Sequence, residues 1–252
     1  MLVHYIEGNL LGDSPDRTVS IYLPPTYNYG ADRYPVIYRL NGWGDTDRAW
    51  IDENWVNVPQ ILDQYFAGET HREMIVVIPS GFTKFGSTFY TNSIATGNWE
   101  DFISYDLVAY IDSQYRTIAT PASHAIAGHS SGGYGAVKLA MKHPDIFGVT
   151  YGMSACCLGW SLEDSPKDPN WENMLKLNSI ESVASTVRRV QAVFQSERAG
   201  HPGPASDKAY QLFLACCLLH RRHRGRQIRT ACPYFLICLC SCETELLDWI
   251  QL

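Results

Sequence analysis

The chain has 252 residues, 46% hydrophobic, 12% aromatic and 18% charged, enough to bury a sizeable core and unlike the composition of a disordered chain or a coiled coil. Twenty basic against 26 acidic residues leave a net charge of −6, which argues against a phosphate-tracking surface and hence against nucleic-acid binding. No apolar run reaches the roughly 18–20 residues that cross a bilayer, so no membrane span is expected. The start, Met1-Leu2-Val3-His4-Tyr5, has no basic region followed by a long apolar stretch, and no signal peptide is visible. The expectation is a protein kept inside the cell, or a secreted domain separated from its leader.

In chain order, residues 1–195 alternate strand-like and helix-like runs, the pattern of an α/β fold with a largely parallel sheet. Thr18–Leu23 alternates and stops at Pro24-Pro25, which reads as an outer strand. Tyr34–Leu40 is apolar and β-branched and runs into Asn41-Gly42. Met74–Ile78 is an almost continuous apolar run closed by Pro79-Ser80-Gly81, as expected of a strand covered on both faces. From Trp99, apolar residues recur at Phe102, Ile103, Leu107, Tyr110 and Ile111, the rhythm of a one-sided helix. His124–Ala127 reads as a short strand ending at Gly128, Ser131–Lys142 as a helix stopped by His143-Pro144, and Gly148–Met153 as a further strand. A last helix is expected over 180–194, with Asn178 and Glu181 as a capping pair.

The chemistry resides in Gly128-His129-Ser130-Ser131-Gly132, a Gly-x-Ser-x-Gly sequence between a strand and a helix. In a nucleophile elbow the turn is so tight that the central residue takes a strained backbone conformation, which only small residues at −2 and +2 permit. Ser130 Oγ is thereby lifted off the end of the sheet, and the helix start aims its N–H groups at the place where negative charge develops on an attacked carbonyl. Leu40-Asn41-Gly42-Trp43-Gly44 follows the central strand, where an acyl-transfer site takes its second oxyanion donor. The backbone N–H groups of Trp43 and Ser131 are the candidate pair. An ordinary Asn-Gly turn is the competing reading of that loop, and a Gly-rich turn with a solvated serine that of the elbow.

These stretches resemble the esterase D-type branch of the α/β-hydrolase superfamily, which includes S-formylglutathione hydrolases, feruloyl and acetyl-xylan esterases and mycolyltransferases. The resemblance runs over about residues 5–155. It is carried by Arg17–Pro25, Tyr34–Tyr38 into Gly42, Trp99–Ile103 with Asp112 and Tyr115, Ala125–Gly133, and His143–Gly148. It implies an α/β-hydrolase fold with helices flanking a mostly parallel sheet, Ser130 as nucleophile, the Trp43 and Ser131 amides as oxyanion hole, and no cofactor or metal. The implied substrate is a small-molecule carboxylic ester, and the aromatic residues near the expected site favour aryl or short acyl groups. The resemblance further implies an acid after a later strand and then a Gly-x-His-type base, in the order Ser…Asp/Glu…His.

That order meets a change in the chain. Residues 1–195 carry −8 and residues 196–252 carry +2. Six of the eight cysteines (Cys216, Cys217, Cys232, Cys238, Cys240 and Cys242) fall in the latter segment, which contains no Val, Asn or Met, against 14 Val before it. The domain reading is therefore an esterase domain over 1–195 and a Cys/Arg/Leu-rich tail over 196–252 in place of the domain's natural end. An altered reading frame or truncation is the favoured account. A genuine divergent ending is the second, and a disulfide or metal module the third, weakened because Cys238-x-Cys240-x-Cys242 lacks the spacing of zinc sites. Base and acid stay unassigned: His201, His220 and His223 are conceivable bases, and Asp207, Asp164 and Asp168 conceivable acids. His129 is expected to point away from Oγ, His124 to open a strand and His143 to end a helix. Trp43, Trp50, Trp55, Phe82, Phe85, Phe89, Tyr90 and Trp99 lie in segments leading from the strand ends; some line an acyl or aryl pocket and at least half pack the core. The resulting expectation is a serine carboxylesterase working through an acyl-enzyme, with a catalytically impaired hydrolase-like domain as the alternative.

Overall fold

The structure, a computed structural model, describes residues 2–3, 9, 12–53, 56–68, 72–93 and 96–158. Trp55, the helix expected over 180–194, the 196–252 segment, and Asp164, Asp168, Asp207, His201, His220 and His223 lie outside the described residues.

The described strands are β1 (Leu2–Val3), β2 (Arg17–Tyr22), β3 (Val36–Leu40), β4 (Ile75–Pro79), β5 (Asn92–Ser93), β6 (Gly97–Asn98), β7 (His124–His129) and β8 (Val149–Met153). Six of them form one sheet in the order β1-β2-β4-β3-β7-β8, while β5 and β6 make a small hairpin. The pairs β4–β3, β3–β7 and β7–β8 are parallel, and β2 joins β4 antiparallel. With helices on both faces, this is the α/β-hydrolase architecture that the resemblance implied.

Period-two alternation sorts the strand side chains onto two cores. Val36, Tyr38 and Leu40 of β3 and Ile75 and Val77 of β4 face one core, together with Trp99, Ile103, Leu107, Ile111 and Leu139. Val76 and Ile78 face the other, against α1 (Val58–Phe66) through Val58, Leu62 and Phe66. Each fully buried aliphatic or aromatic side chain contributes about 1.5–3 kcal/mol. Every residue of β4 is buried, in line with a strand covered on both faces.

Several boundaries differ from the sequence expectation. β2 is one strand in from the described edge, because Leu2 and Val3 pair with Thr18 and Arg17. β3 starts at Val36, and Tyr34 makes only an isolated bridge to Thr117. β7 continues to His129, since Gly128 and His129 still pair with Gly152 and Met153 of β8. The helix after Trp99 is α2 (Trp99–Asp101), a π-helical stretch over Phe102–Leu107, then α3 (Val108–Gln114). Trp99, Ile103, Leu107 and Ile111 are all fully buried at four-residue intervals. A regular α-helix drifts roughly 40° per four residues, so three such steps would carry Ile111 off the buried face. The wider π turn takes up that drift. Helix α4 (Ser131–Lys142) has the expected limits.

Candidate active site

β3 and β7 are neighbouring parallel strands with Leu40 opposite Gly128, so the two segments leaving their C-terminal ends emerge side by side. From β7 the chain turns at Ser130 into α4. Ser130 has φ 54° and ψ −118°, the strained geometry that the tight turn demands. Both flanking glycines are required by close backbone approach. A Cβ on Gly128 would stand 2.2 Å from the Gly132 carbonyl oxygen, and one on Gly132 would stand 2.3 Å from that of Leu40 and 2.6 Å from that of Asn41. The Ser130 N–H donates to Met153 O (3.0 Å), and Ser130 O accepts from Tyr134 N–H (3.0 Å) and Cys156 N–H (3.2 Å). The bend is thus held by β8 and by α4, and Ser130 stays partly exposed.

The loop after β3 is braced as well. The buried Asn41 side chain donates from Nδ2 to Pro79 O (2.9 Å), the Asn41 backbone carbonyl accepts from Tyr90 OH (2.9 Å), and Gly44 N–H donates to Gly86 O (2.9 Å). Trp43 and the first residue of α4, Ser131, therefore come from adjacent strand ends, and the latter opens the helix at its positive end.

A family model described as "Putative esterase" matches residues 14–218, which include the elbow and the loop after β3. The chain belongs to this esterase family. Among curated relatives of the esterase chain, a feruloyl esterase with endo-1,4-beta-xylanase in its name, from Xylanibacter ruminicola, is 30% identical over 162 residues, covering 61% of this chain and 21% of the relative. Esterase Rv1288 from Mycobacterium tuberculosis is 31% identical over 129 residues (50% and 26%). The MPT51/MPB51 antigen from Mycobacterium bovis is 36% identical over 103 residues (40% and 31%). The chain spans about a fifth to a third of the length of these relatives. Among solved structures, a ferulic acid esterase aligns at 21% identity and a TM-score of 0.49, covering 87% of this chain and 96% of that one. An S-formylglutathione hydrolase from Agrobacterium tumefaciens aligns at 18% identity and 0.48, covering 73% and 66%.

Around the esterase elbow the aromatic residues separate by role. Phe85, Tyr90 and Trp99 are buried and pack the interior, and Phe82 is exposed. Trp43 and Phe89 meet at 5.7 Å between ring centroids, and Phe89 and Tyr134 at 6.2 Å. With Cys156 and Cys157 they form one apolar cluster. Two of its members, Tyr134 and Cys156, hold the Ser130 carbonyl through their own N–H groups. Tyr134 was not singled out in the sequence, although it lies four residues after Ser130 and so one helical turn from it.

On the opposite side of β3 lies Arg39, 3% exposed, with its guanidinium 3.0 Å from the centre of the Trp50 ring. Its Nη1 donates over long distances to Leu40 O (3.3 Å) and Asn41 Oδ1 (3.4 Å), while Nη2 has no hydrogen-bond partner among the described residues. Burial pulls this guanidinium down to about 9. The His129 ring packs 6.3 Å from the same Trp50, and its Nδ1 lies near Gly42. His124 (to Asp112) and His143 (to Glu100) occupy the strand-opening and helix-ending places expected of them. A separate cleft of about 550 Å³ beside β2 and the start of α1, lined by Ser20, Arg48 and Val58 among others, includes no residue of the elbow or of the loop after β3.

Proposed function

We propose that this chain hydrolyses carboxylic esters through an acyl-enzyme on Ser130. The observation that carries the reading is the Ser130 backbone at φ 54° and ψ −118°, framed by two glycines with no room for a Cβ. Ser130 Oγ attacks the ester carbonyl as a histidine takes its proton, and the Trp43 and Ser131 N–H groups donate to the carbonyl oxygen as it becomes negatively charged. Collapse of the tetrahedral species expels the alcohol, which takes up that proton, and water then releases the acid by the same steps. Histidine and acid are unassigned, with His201, His220 and His223 and Asp164, Asp168 and Asp207 as candidates. The Trp43–Phe89–Tyr134 cluster supports an aryl or short acyl group as the part of the ester held beside Ser130, consistent with the feruloyl esterase name of one relative.

The composition break near residue 196 favours a second reading, in which the same domain is catalytically impaired. Loss of the base costs on the order of 10⁶ in turnover, while oxyanion and binding terms retain roughly 10³–10⁴ over water. A fluorophosphonate probe separates the readings. Labelling of wild type that vanishes in Ser130→Ala, with turnover of 4-nitrophenyl acetate above buffer, supports the serine esterase; equal labelling of both overturns it; and no labelling, with turnover no faster than buffer, supports the impaired form.

A further inference from the structure

The segment Gly86–Tyr90 touches both halves of the elbow site, and the esterase reading above gives a role to its Phe89 but none to Ser87 or Tyr90. At one half, Gly86 O accepts the Gly44 N–H at 2.9 Å. Gly86, at φ 87°, lies so close under Trp43 that a Cβ would stand 2.8 Å from the indole. At the other half, the Ser87 and Ser131 hydroxyl oxygens are 3.3 Å apart, both buried. Ser87 Oγ already accepts the Phe89 N–H at 3.2 Å, so its own hydrogen is available to Ser131. Tyr90 closes the third side, its OH donating to Asn41 O at 2.9 Å.

The Tyr90 ring has a made-to-measure socket. A Cβ on Gly81 would meet its hydroxyl at 2.7 Å, and one on Gly135 of α4 would meet its ring at 2.4 Å. Burial also pushes the Tyr90 phenol upward, so it stays a neutral donor at ordinary pH. Phe89 and Tyr90 both hold left-handed backbone (φ 49° and 52°), an uncommon pair for aromatic residues and costly unless the surroundings impose it. Because a peptide unit is planar, fixing the Asn41 carbonyl fixes the Asn41–Gly42 peptide. The Gly44 N–H is fixed on the other side, and the Trp43 amide lies between the two pins.

Resting on the serine esterase reading, we propose that Tyr90 and Ser87 are positioning residues that hold the Trp43 and Ser131 amides at the separation a developing oxyanion requires. They touch the two donors' segments and not the substrate, so they act through Asn41 and Ser131.

The test uses the full chain as Tyr90→Phe, which keeps the ring, and Ser87→Ala. Hydrogen exchange read on peptides covering residues 40–46 and 130–134 reports the clamp without any need for activity. The rate of fluorophosphonate labelling at Ser130, and kcat and KM for 4-nitrophenyl acetate per labelled site, report the reaction. Exchange about tenfold faster in residues 40–46 of Tyr90→Phe, with labelling and kcat about tenfold slower and KM within about twofold, supports the proposal; the kinetic loss stays below the ~10²–10³ of deleting a donor outright. Wild-type exchange in both variants overturns it, as does faster exchange with labelling unchanged. If wild type is not labelled at all, the esterase reading fails, and the exchange comparison still decides whether Tyr90 and Ser87 hold the loop.

Discussion

Gly132 rests directly against the carbonyl oxygen of Leu40, the last residue of β3: a Cβ there would stand 2.3 Å away. The obstacle is backbone in a central strand, which cannot swing aside as a side chain can. Gly132→Ala must therefore push α4 off the sheet, and we expect a loss of about 3 kcal/mol or more. Gly44→Ala is the contrast. Its φ is 78° and, among the described residues, nothing lies within 4 Å of the added carbon, so conformational strain of about 1–3 kcal/mol is the cost expected. Urea unfolding of the two variants checks the order, and a Gly132→Ala protein as stable as Gly44→Ala would show that the elbow is looser than described.

The aromatic cluster beside Ser130 predicts a substrate-dependent loss. Phe89 touches both Trp43 and Tyr134, so Phe89→Leu leaves an apolar wall without its ring faces. Ring-on-ring contact is worth about 0.5–1.5 kcal/mol beyond area, which is roughly two- to thirteenfold in kcat/KM. We expect that loss for an aryl ester such as methyl ferulate, and less than twofold for an acetyl ester. Equal losses for both esters would remove the cluster from the acyl subsite.

The elbow and the central strands were legible because their signals are local and steric. Apolar, β-branched runs beside Gly or Pro mark β3 and β4, a short run ending at Gly128 marks β7, and Gly128 and Gly132 flank a serine where the bend leaves no room for a Cβ. Helix α1 was not singled out, since Pro59 near its start reads as a breaker, although proline is tolerated in a first turn where its missing N–H costs nothing. The π-helical stretch over Phe102–Leu107 hides behind a pattern that an α-helix also matches. Tyr134 sits among small residues of α4 and gains meaning only from Phe89, 45 residues earlier. The bracing of the loop after β3 by Tyr90 and Gly86 depends on contacts across about 40 residues or more of chain, which no pattern of neighbours encodes.

Arg39 predicts a stabilising substitution. It is a cation inside β3 with one nitrogen unpartnered among the described residues, and burial lowers it to about 9 from 12.5. A base whose folded value is lowered is penalised fully below that value, and the penalty is relieved as pH rises from about 9 towards 12.5. At pH 7 the cost is present in full. Arg39→Met keeps an apolar stem under Trp50 and removes the charge, so we expect a gain of about 1 kcal/mol at pH 7, since buried ions replaced by apolar groups are often neutral or stabilising by 1–4 kcal/mol. A thermal melt at pH 7 checks the sign; a lower midpoint for Arg39→Met would mean that the Trp50 stack and the contacts to Leu40 and Asn41 outweigh desolvation.

Glu100 predicts how the fold fails in acid. Its carboxylate joins α2 to α4 and is 6% exposed, with Lys142 hydrogen-bonded to one oxygen, His143 Nε2 at 3.3 Å from the same oxygen and Lys138 3.8 Å from the other. Burial pushes this carboxyl up, but the hydrogen bonds from His143 and Lys142 and the nearby charges of Lys138 and Lys142 outweigh it and hold the group at about 2, against 4.5 for an ordinary Glu. Between those values the unfolded chain binds a proton that the folded chain refuses, so stability falls as pH drops from about 4.5 to 2 and is fully present above 4.5. Glu100→Gln removes this slope and, by loosening the tie between the helices, costs about 2 kcal/mol at pH 7. Urea unfolding at pH 7, 4.5 and 3 measures both effects. Wild type and Glu100→Gln should converge as the pH falls, and a constant gap between them at all three values would detach Glu100 from acid unfolding.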